Sequence, residues 1–87
     1  MIRIETSVRG NLVTFAVIGR IQSEDLPELK RLVESKGNKR IVLDLQEVNL
    51  VDREAIAFLA SFERDNLTIS NCPPYIREWI FRERAEH

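Results

Sequence analysis

Residues 39–62 constrain the fold of this 87-residue chain more than any other stretch, because the spacing of the apolar side chains changes within them. The stretch begins with a short apolar run that is rich in β-branched residues, Ile41, Val42, Leu43 and Leu45. A run that is apolar on both faces is typical of a central strand in a parallel sheet. After Asp52 the apolar residues recur at helical spacing, with Ile56, Leu59 and Ala60 on one stripe and Ala55, Phe58 and Phe62 beside it. The pattern therefore predicts a strand, a short loop and a helix.

Asp52 stands where this helix is predicted to begin. Its carboxylate can accept a hydrogen bond from one of the backbone N–H groups that the first turn leaves open. Glu54 adds a charge that the helix dipole favours at this end. We therefore expect Asp52 to be the N-cap.

Two strands are predicted before residue 20. In residues 2–9, apolar or β-branched side chains alternate with charged side chains and Ser7, which indicates an edge strand with one face in water. Gly10 and Asn11 are typical of a tight hairpin turn. Residues 12–18 are apolar on both faces and predict an inner strand, which we expect Gly19 and Arg20 to end.

Two more helices and one more strand complete the pattern. Residues 26–33 have helical spacing, and Asp25 with Glu28 is expected to form a capping-box pair at their start. Residues 67–69 predict a short fourth strand, and Pro73 and Pro74 lead into a third helix. Its buried stripe is predicted to contain Tyr75, Ile76, Trp79 and Ile80.

The predicted order is β-β-α-β-α-β-α, in an α/β domain with a mixed four-stranded sheet. Crossovers between parallel strands are nearly always right-handed. If the second, third and fourth strands follow one another across the sheet, the two crossover helices lie on one face. A chain of 87 residues has room for one domain of this size.

The segment IVLDLQEVNLVDREAIAFL, residues 41–59, resembles the signature of the STAS domain, the fold of bacterial anti-sigma factor antagonists. In that family a strand ending in Asp or Asn leads through a hydrophobic loop to an Asp-Ser-Ser-Gly turn. A cognate anti-sigma kinase phosphorylates the first serine of that turn. The turn falls here on residues 52–55, where only Asp52 matches and Arg53 takes the phosphoacceptor position. The family's phosphorylation switch is therefore not expected at this residue.

The resemblance implies one STAS-like domain over residues 1–87, which ends after the third helix and before a strand and helix that the family usually adds. An unprotected sheet edge that can pair with another chain is expected there. The resemblance also implies that a partner kinase docks on the loop before the second helix and on that helix's first turn. The matching positions are Asn49, Leu50, Asp52, Arg53, Glu54 and Ala55.

Few residues favour a catalytic or metal site. Asp44 and Asp52 lie at strand ends, where α/β folds place ligands, but no histidine or third fixed ligand joins them, so we expect capping and local hydrogen bonds instead. Cys72 lies near a helix start, which can lower a thiol pKa, although no resolving cysteine or nearby histidine accompanies it. His87 is the one histidine and is terminal. We predict no enzyme, no cofactor and no metal.

Charge and hydropathy exclude other functions. The net charge is −1 and no basic cluster is present, which argues against nucleic-acid binding. No apolar stretch approaches the length of a membrane span, and the first residues contain no secretory signal, so a cytoplasmic location without membrane contact is expected.

The first hypothesis is thus a noncatalytic protein-interaction module in bacterial signalling and transcription regulation. It would resemble an anti-sigma factor antagonist, with an anti-sigma factor or serine kinase as partner. One alternative is a sensor of a small ligand such as a nucleotide or lipid, bound near the same helix start. Another is a homodimer that forms through an open sheet edge.

Overall fold

A computed structural model of the chain describes residues 2–37, 39–63 and 66–85. The strands within these residues are β1 (Ile2–Arg9), β2 (Leu12–Ile21), β3 (Arg40–Asp44), β4 (Val48–Val51) and β5 (Leu67–Ser70). The helices are α1 (Leu26–Glu34), which follows a 3-10 turn at Ser23–Asp25, α2 (Arg53–Phe62) and α3 (Pro74–Ala85). The predicted order of elements is confirmed, and β4 is an additional strand within the predicted loop.

The sheet is mixed and runs in the order β1-β2-β3-β5, with β4 also paired to β2. The hairpin of β1 and β2 is antiparallel, and Gly10 takes the positive φ of 55° that its turn requires. The pairs β2–β3, β2–β4 and β3–β5 are parallel. The predicted edge position of β1 is confirmed, because β1 pairs with β2 alone in the described sheet.

β2 is longer than its sequence predicts. It continues past Gly19 to Ile21, because its first half pairs with β3 and its last three residues pair with β4. The register shifts between Gly19 and Arg20, and Gly19 has a φ of 104°, a backbone conformation that residues with a Cβ rarely adopt. Its N–H donates to the carbonyl of Glu47 at 3.1 Å. Gly19 therefore bends the strand instead of ending it.

The core lies between the helices and one face of the sheet. Its side chains alternate along the strands and recur on one stripe of each helix, as in Val13, Phe15, Val17, Ile41, Leu43, Leu67, Leu29, Ile56, Leu59, Ile76 and Ile80. No buried charged or polar residue is found among the described residues. No helix in residues 2–37, 39–63 and 66–85 is long and apolar enough to cross a membrane.

Two local predictions are wrong. Asp25 does not form a capping box with Glu28; its carboxylate instead accepts from the backbone N–H of Gln22 at 3.0 Å, because a 3-10 turn precedes α1. Tyr75 does not belong to the buried stripe of α3, since its side chain is 52% exposed. Ile76 and Ile80 are buried as predicted, and Trp79 is partly buried against the core.

Candidate functional site

Asp52 fixes the corner between β4 and α2. Its backbone is extended (φ −97°, ψ 176°), and its Oδ1 accepts from the N–H of Ala55 at 2.8 Å, which confirms the predicted N-cap. Its Oδ2 accepts from the N–H of Ser23 at 2.8 Å, so the same side chain ties this corner to the turn after β2. The backbone N–H of Asp52 donates to the carbonyl of Ile21 at 3.2 Å. These hydrogen bonds together hold the start of α2 in one position.

Asp44 has a local structural role at the end of β3. Its Oδ1 accepts from the backbone N–H of Gln46 at 3.0 Å and from Nδ2 of Asn71 at 3.2 Å. These bonds satisfy the turn that leads to β4 and join it to the segment after β5. The expected local hydrogen bonds of Asp44 are confirmed.

The structure brings most of the predicted docking residues to the surface at this corner. Asn49 and Leu50 are exposed on β4, and the Leu50 side chain is 47% exposed. Arg53 and Glu54 are exposed in the first turn of α2. Ala55 is different, because its side chain is fully buried and its N–H is bonded to Asp52. Ala55 therefore belongs to the core and not to the exposed surface.

Tyr75 joins this surface, although its helical spacing indicated a core position. Its hydroxyl donates to the carbonyl of Asn49 at 3.3 Å, which places the ring next to β4. Tyr75, Trp79 and Arg82 recur at positions i, i+4 and i+7 of α3, on one helix face. This spacing was visible in the sequence, and it does not reveal which neighbour the face meets.

Two shallow pockets extend the corner along α3. One of about 300 Å³ is lined by Arg53, Trp79, Arg82 and Glu83. The other, of about 310 Å³, is lined by Tyr75, Glu78, Trp79 and Arg82. The two pockets adjoin at Trp79 and Arg82, which line both of them. We define the corner surface as Asn49, Leu50, Arg53, Glu54, Tyr75 and Trp79, which the two pockets adjoin.

An ion-pair network holds α3 against the end of α2. Glu63 accepts from Arg77 and from Arg84, each at 2.9 Å, and Arg84 also donates to the carbonyl of Ala60. The hydrogen bond from Arg77 lowers the pKa of Glu63 below its ordinary value and raises that of Arg77. The network lies away from the first turn of α2 and fixes the helix that presents Tyr75 and Trp79.

Cys72 is not activated for chemistry. The thiol is half-buried, and burial raises its pKa above the ordinary value despite the nearby Arg77. A raised pKa lowers the thiolate fraction at neutral pH, and the thiolate is the nucleophile. His87 lies outside the described residues.

Comparison with solved structures identifies the fold. The anti-sigma factor antagonist SpoIIAA in its unphosphorylated form superposes with a TM-score of 0.61 at 12% identity, over 90% of this chain and 79% of that one. The chain has the SpoIIAA-like fold. A DUF3478-family protein from Shewanella loihica PV-4, itself described as SpoIIAA-like, superposes with a TM-score of 0.57 at 19% identity, over 98% of this chain and 78% of that one.

No protein-family model and no curated protein matches the sequence. The SpoIIAA-like fold agrees with the STAS resemblance of residues 41–59 and with the mixed sheet predicted from them. At these identities the likeness establishes the architecture, and function has to be argued from the residues of the corner surface.

Proposed function

We propose that this chain is a noncatalytic protein-interaction module in bacterial signalling, similar to an anti-sigma factor antagonist, and that it binds its partner through the corner surface. The main support for the proposal is that exposed apolar side chains lie on segments that hydrogen bonds hold in place. Leu50 and Tyr75 are 47% and 52% exposed, and the hydrogen bonds of Asp52 and Tyr75 fix the segments that bear them. Aromatic and apolar anchors on a rigid element are typical centres of a protein interface.

Charged side chains surround these anchors. Arg53 and Glu54 are exposed in the first turn of α2, and Arg82 lines both pockets together with Trp79. Exposed charges at the rim of an interface steer association and select the partner more than they add affinity. The corner surface therefore has an apolar centre and a charged rim.

The proposed module is not switched at position 53. Arginine has no hydroxyl to phosphorylate, and its cation stands where the resemblance places a serine. Glu54 supplies one fixed negative charge, about half of what a phosphate carries at neutral pH. The partner would therefore meet one constant surface. An anti-sigma factor or serine kinase in the cytoplasm is the partner that fits this proposal.

The same corner gives less support to a sensor of anionic ligands. Open N–H groups at a helix start can hold an anion, but the Asp52 carboxylate already accepts from Ala55 in this turn. Glu54 adds a second negative charge to the same turn. Both charges oppose an anion at this end of α2.

The test is affinity copurification of the tagged protein from its own host, followed by calorimetric titration with each purified candidate. Leu50→Glu places a charge at the apolar centre and is expected to raise Kd about 30-fold or more, as loss of an interface anchor does. Phe81→Glu is the matched control, because Phe81 is also apolar and 69% exposed but lies outside the corner surface. Equal affinity in both variants contradicts the proposed docking site.

Two further measurements test the contribution of Arg53 and Glu54 to binding and the absence of a phosphorylation switch. Changing Arg53 and Glu54 together to Ala should weaken the same complex and leave the circular dichroism spectrum unchanged. The intact mass after incubation with ATP and a captured kinase should show no added phosphate. Phosphate on another residue, such as Ser23, Ser61 or Ser70, would contradict the constant surface and move the switch away from position 53.

A further inference from the structure

One face of the sheet carries no helix in the described part of the chain. The side chains that alternate with the buried ones along β2 and β3 are half-buried instead of buried, as for Thr14, Ala16, Ile18, Val42 and Asp44. Right-handed crossovers place α1 and α2 together on the opposite face. We call this uncovered side of β1, β2, β3 and β5 the open face. The rows described below contain none of the six residues of the corner surface, so the role proposed for them can be tested separately from the proposed function.

The register of the strands arranges the open face in rows. The row nearest the β1–β2 hairpin is basic and consists of Arg9, Leu12 and Arg40, which are paired across adjacent strands. Neither arginine forms an ion pair with another residue of the described chain. Leu12 between them is apolar and 38% exposed.

The third row has the opposite charge. It consists of Glu5, Ala16 and Asp44, again paired across β1, β2 and β3. The row between these two is uncharged and consists of Ser7, Thr14 and Val42. Counted from the hairpin end, each strand therefore presents first a basic or apolar side chain, then an uncharged one, and then an acidic or small one.

This order is complementary to itself. A two-fold axis that runs along the uncharged row, across the strands, places the basic row of one copy over the acidic row of the other. Each strand then faces its own counterpart. Arg9 lies over Glu5 of the second copy, and Arg40 lies over its Asp44. Leu12 lies over the small Ala16, and Thr14 meets Thr14 at the axis.

We propose that two copies of this chain associate face to face through the open face, about that axis. The acidic groups are able to accept new partners. The Arg3–Glu5 pair is 75% and 56% exposed, so exchanging it costs little. Asp44 uses Oδ1 for its hydrogen bonds to Gln46 and Asn71, and Oδ2 has no hydrogen bond within the described residues.

The size of the open face predicts a weak dimer. Four strands at about 4.8 Å and six residues at about 3.3 Å each give a flat footprint of about 380 Å² per copy. Such a contact is smaller than a stable specific interface, so we expect a weak, transient dimer with a Kd of about 1 µM to 1 mM. Because the ion pairs are near the surface, association should weaken as salt rises.

The symmetry of the arrangement gives a decisive test by sedimentation velocity at low salt. The wild-type chain is expected to dimerise as concentration rises. Glu5→Arg and Arg9→Glu each turn two attractive contacts into repulsive ones and should raise Kd about tenfold or more. The double variant restores opposite charges across the axis and should dimerise again. An equimolar mixture of the two single variants should form a mixed dimer.

Two further variants separate the open face from the edge of β1. Thr14→Lys places two cations at the axis and should prevent association, whereas Thr6→Lys lies on the other face of β1 and should leave it unchanged. Association that survives Thr14→Lys overturns the proposal in favour of strand pairing along the edge. A wild-type chain that stays monomeric at about 1 mM also overturns it.

Discussion

The carboxylate of Asp52 accepts a hydrogen bond from the backbone N–H of Ser23 at 2.8 Å, although the two residues are 29 positions apart. The same carboxylate caps α2 through Ala55. One side chain therefore holds the starts of two consecutive helical segments against each other.

Replacing Asp52 by Ala should destabilise the fold by about 2 kcal/mol. Loss of an N-cap costs about 1 kcal/mol, and the second hydrogen bond adds about the same amount. Asp52→Asn keeps one acceptor and should cost about half as much. Urea unfolding at neutral pH measures both variants. A loss below about 0.5 kcal/mol for Asp52→Ala would show that Ser23 and the helix start find other partners.

Glu63 should make stability depend on pH. Its folded pKa is lowered from the ordinary 4.5, chiefly by the hydrogen bond from Arg77, so its stabilising effect is present above 4.5 and is lost as pH falls through the lowered value. Glu63→Gln should thus be less stable than the wild type at about pH 7, and the gap should close towards about pH 3.

Urea unfolding of both proteins across this pH range measures the gap for Glu63→Gln. Glu78→Gln is the control, because the Glu78–Arg82 pair is 64% and 72% exposed and should contribute little at any pH. A gap for Glu63→Gln that stays constant from about pH 7 to pH 3 would contradict the role assigned to its charge.

Cys72 should react slowly with iodoacetamide. Burial raises the pKa of its thiol, so the thiolate fraction at neutral pH is below that of an unhindered cysteine. In the folded protein, Cys72 should be alkylated more slowly than free cysteine. In urea, the two rates should be equal. Intact mass follows both reactions. A rate above that of free cysteine would restore Cys72 as a candidate nucleophile.

Ile80 and Phe81, neighbours in α3, should contribute differently to the free energy of unfolding. Ile80 is fully buried, and Ile80→Val should cost about 1 kcal/mol through the methylene that it removes. Phe81 is 69% exposed, so Phe81→Ala should change stability by less than about 0.5 kcal/mol. Thermal or urea unfolding measures the stability of both variants. A similar loss of stability in both would show that Phe81 makes a contact within the folded protein.

The parts of the fold that follow from local pattern could be predicted. The apolar run at residues 41–45, the Asp52 cap and the alternation along β1 each report on a neighbourhood of a few residues. β4 could not be predicted, because its burial does not alternate: Val48 and Val51 are buried, and Asn49 and Leu50 between them are exposed. The pattern follows from the register shift between β2 and β4: Gly19 pairs with Val48 and Arg20 with Leu50, so Asn49 is an extra, unpaired residue of β4.

The candidate site could also be predicted only in part, because part of it depends on contacts between distant segments of the chain. The positions of Asn49, Leu50, Arg53 and Glu54 follow from where α2 begins, and helical spacing cannot place Tyr75 among them. Whether an aromatic side chain at the border of a helical stripe is buried depends on what the helix packs against. Here the Tyr75 hydroxyl reaches the Asn49 carbonyl, a contact between segments 26 residues apart.

The pairing of β2 has a consequence for the order in which the fold opens. β2 is bonded to β1 on one side and to both β3 and β4 on the other, whereas β5 has only β3 beside it in the described sheet. Amide hydrogens in the middle of β2, such as those of Phe15 and Val17, should exchange with solvent only when the whole chain unfolds. Those of β5 can exchange through a partial opening that releases β5 and α3 together and leaves the strands before α2 paired.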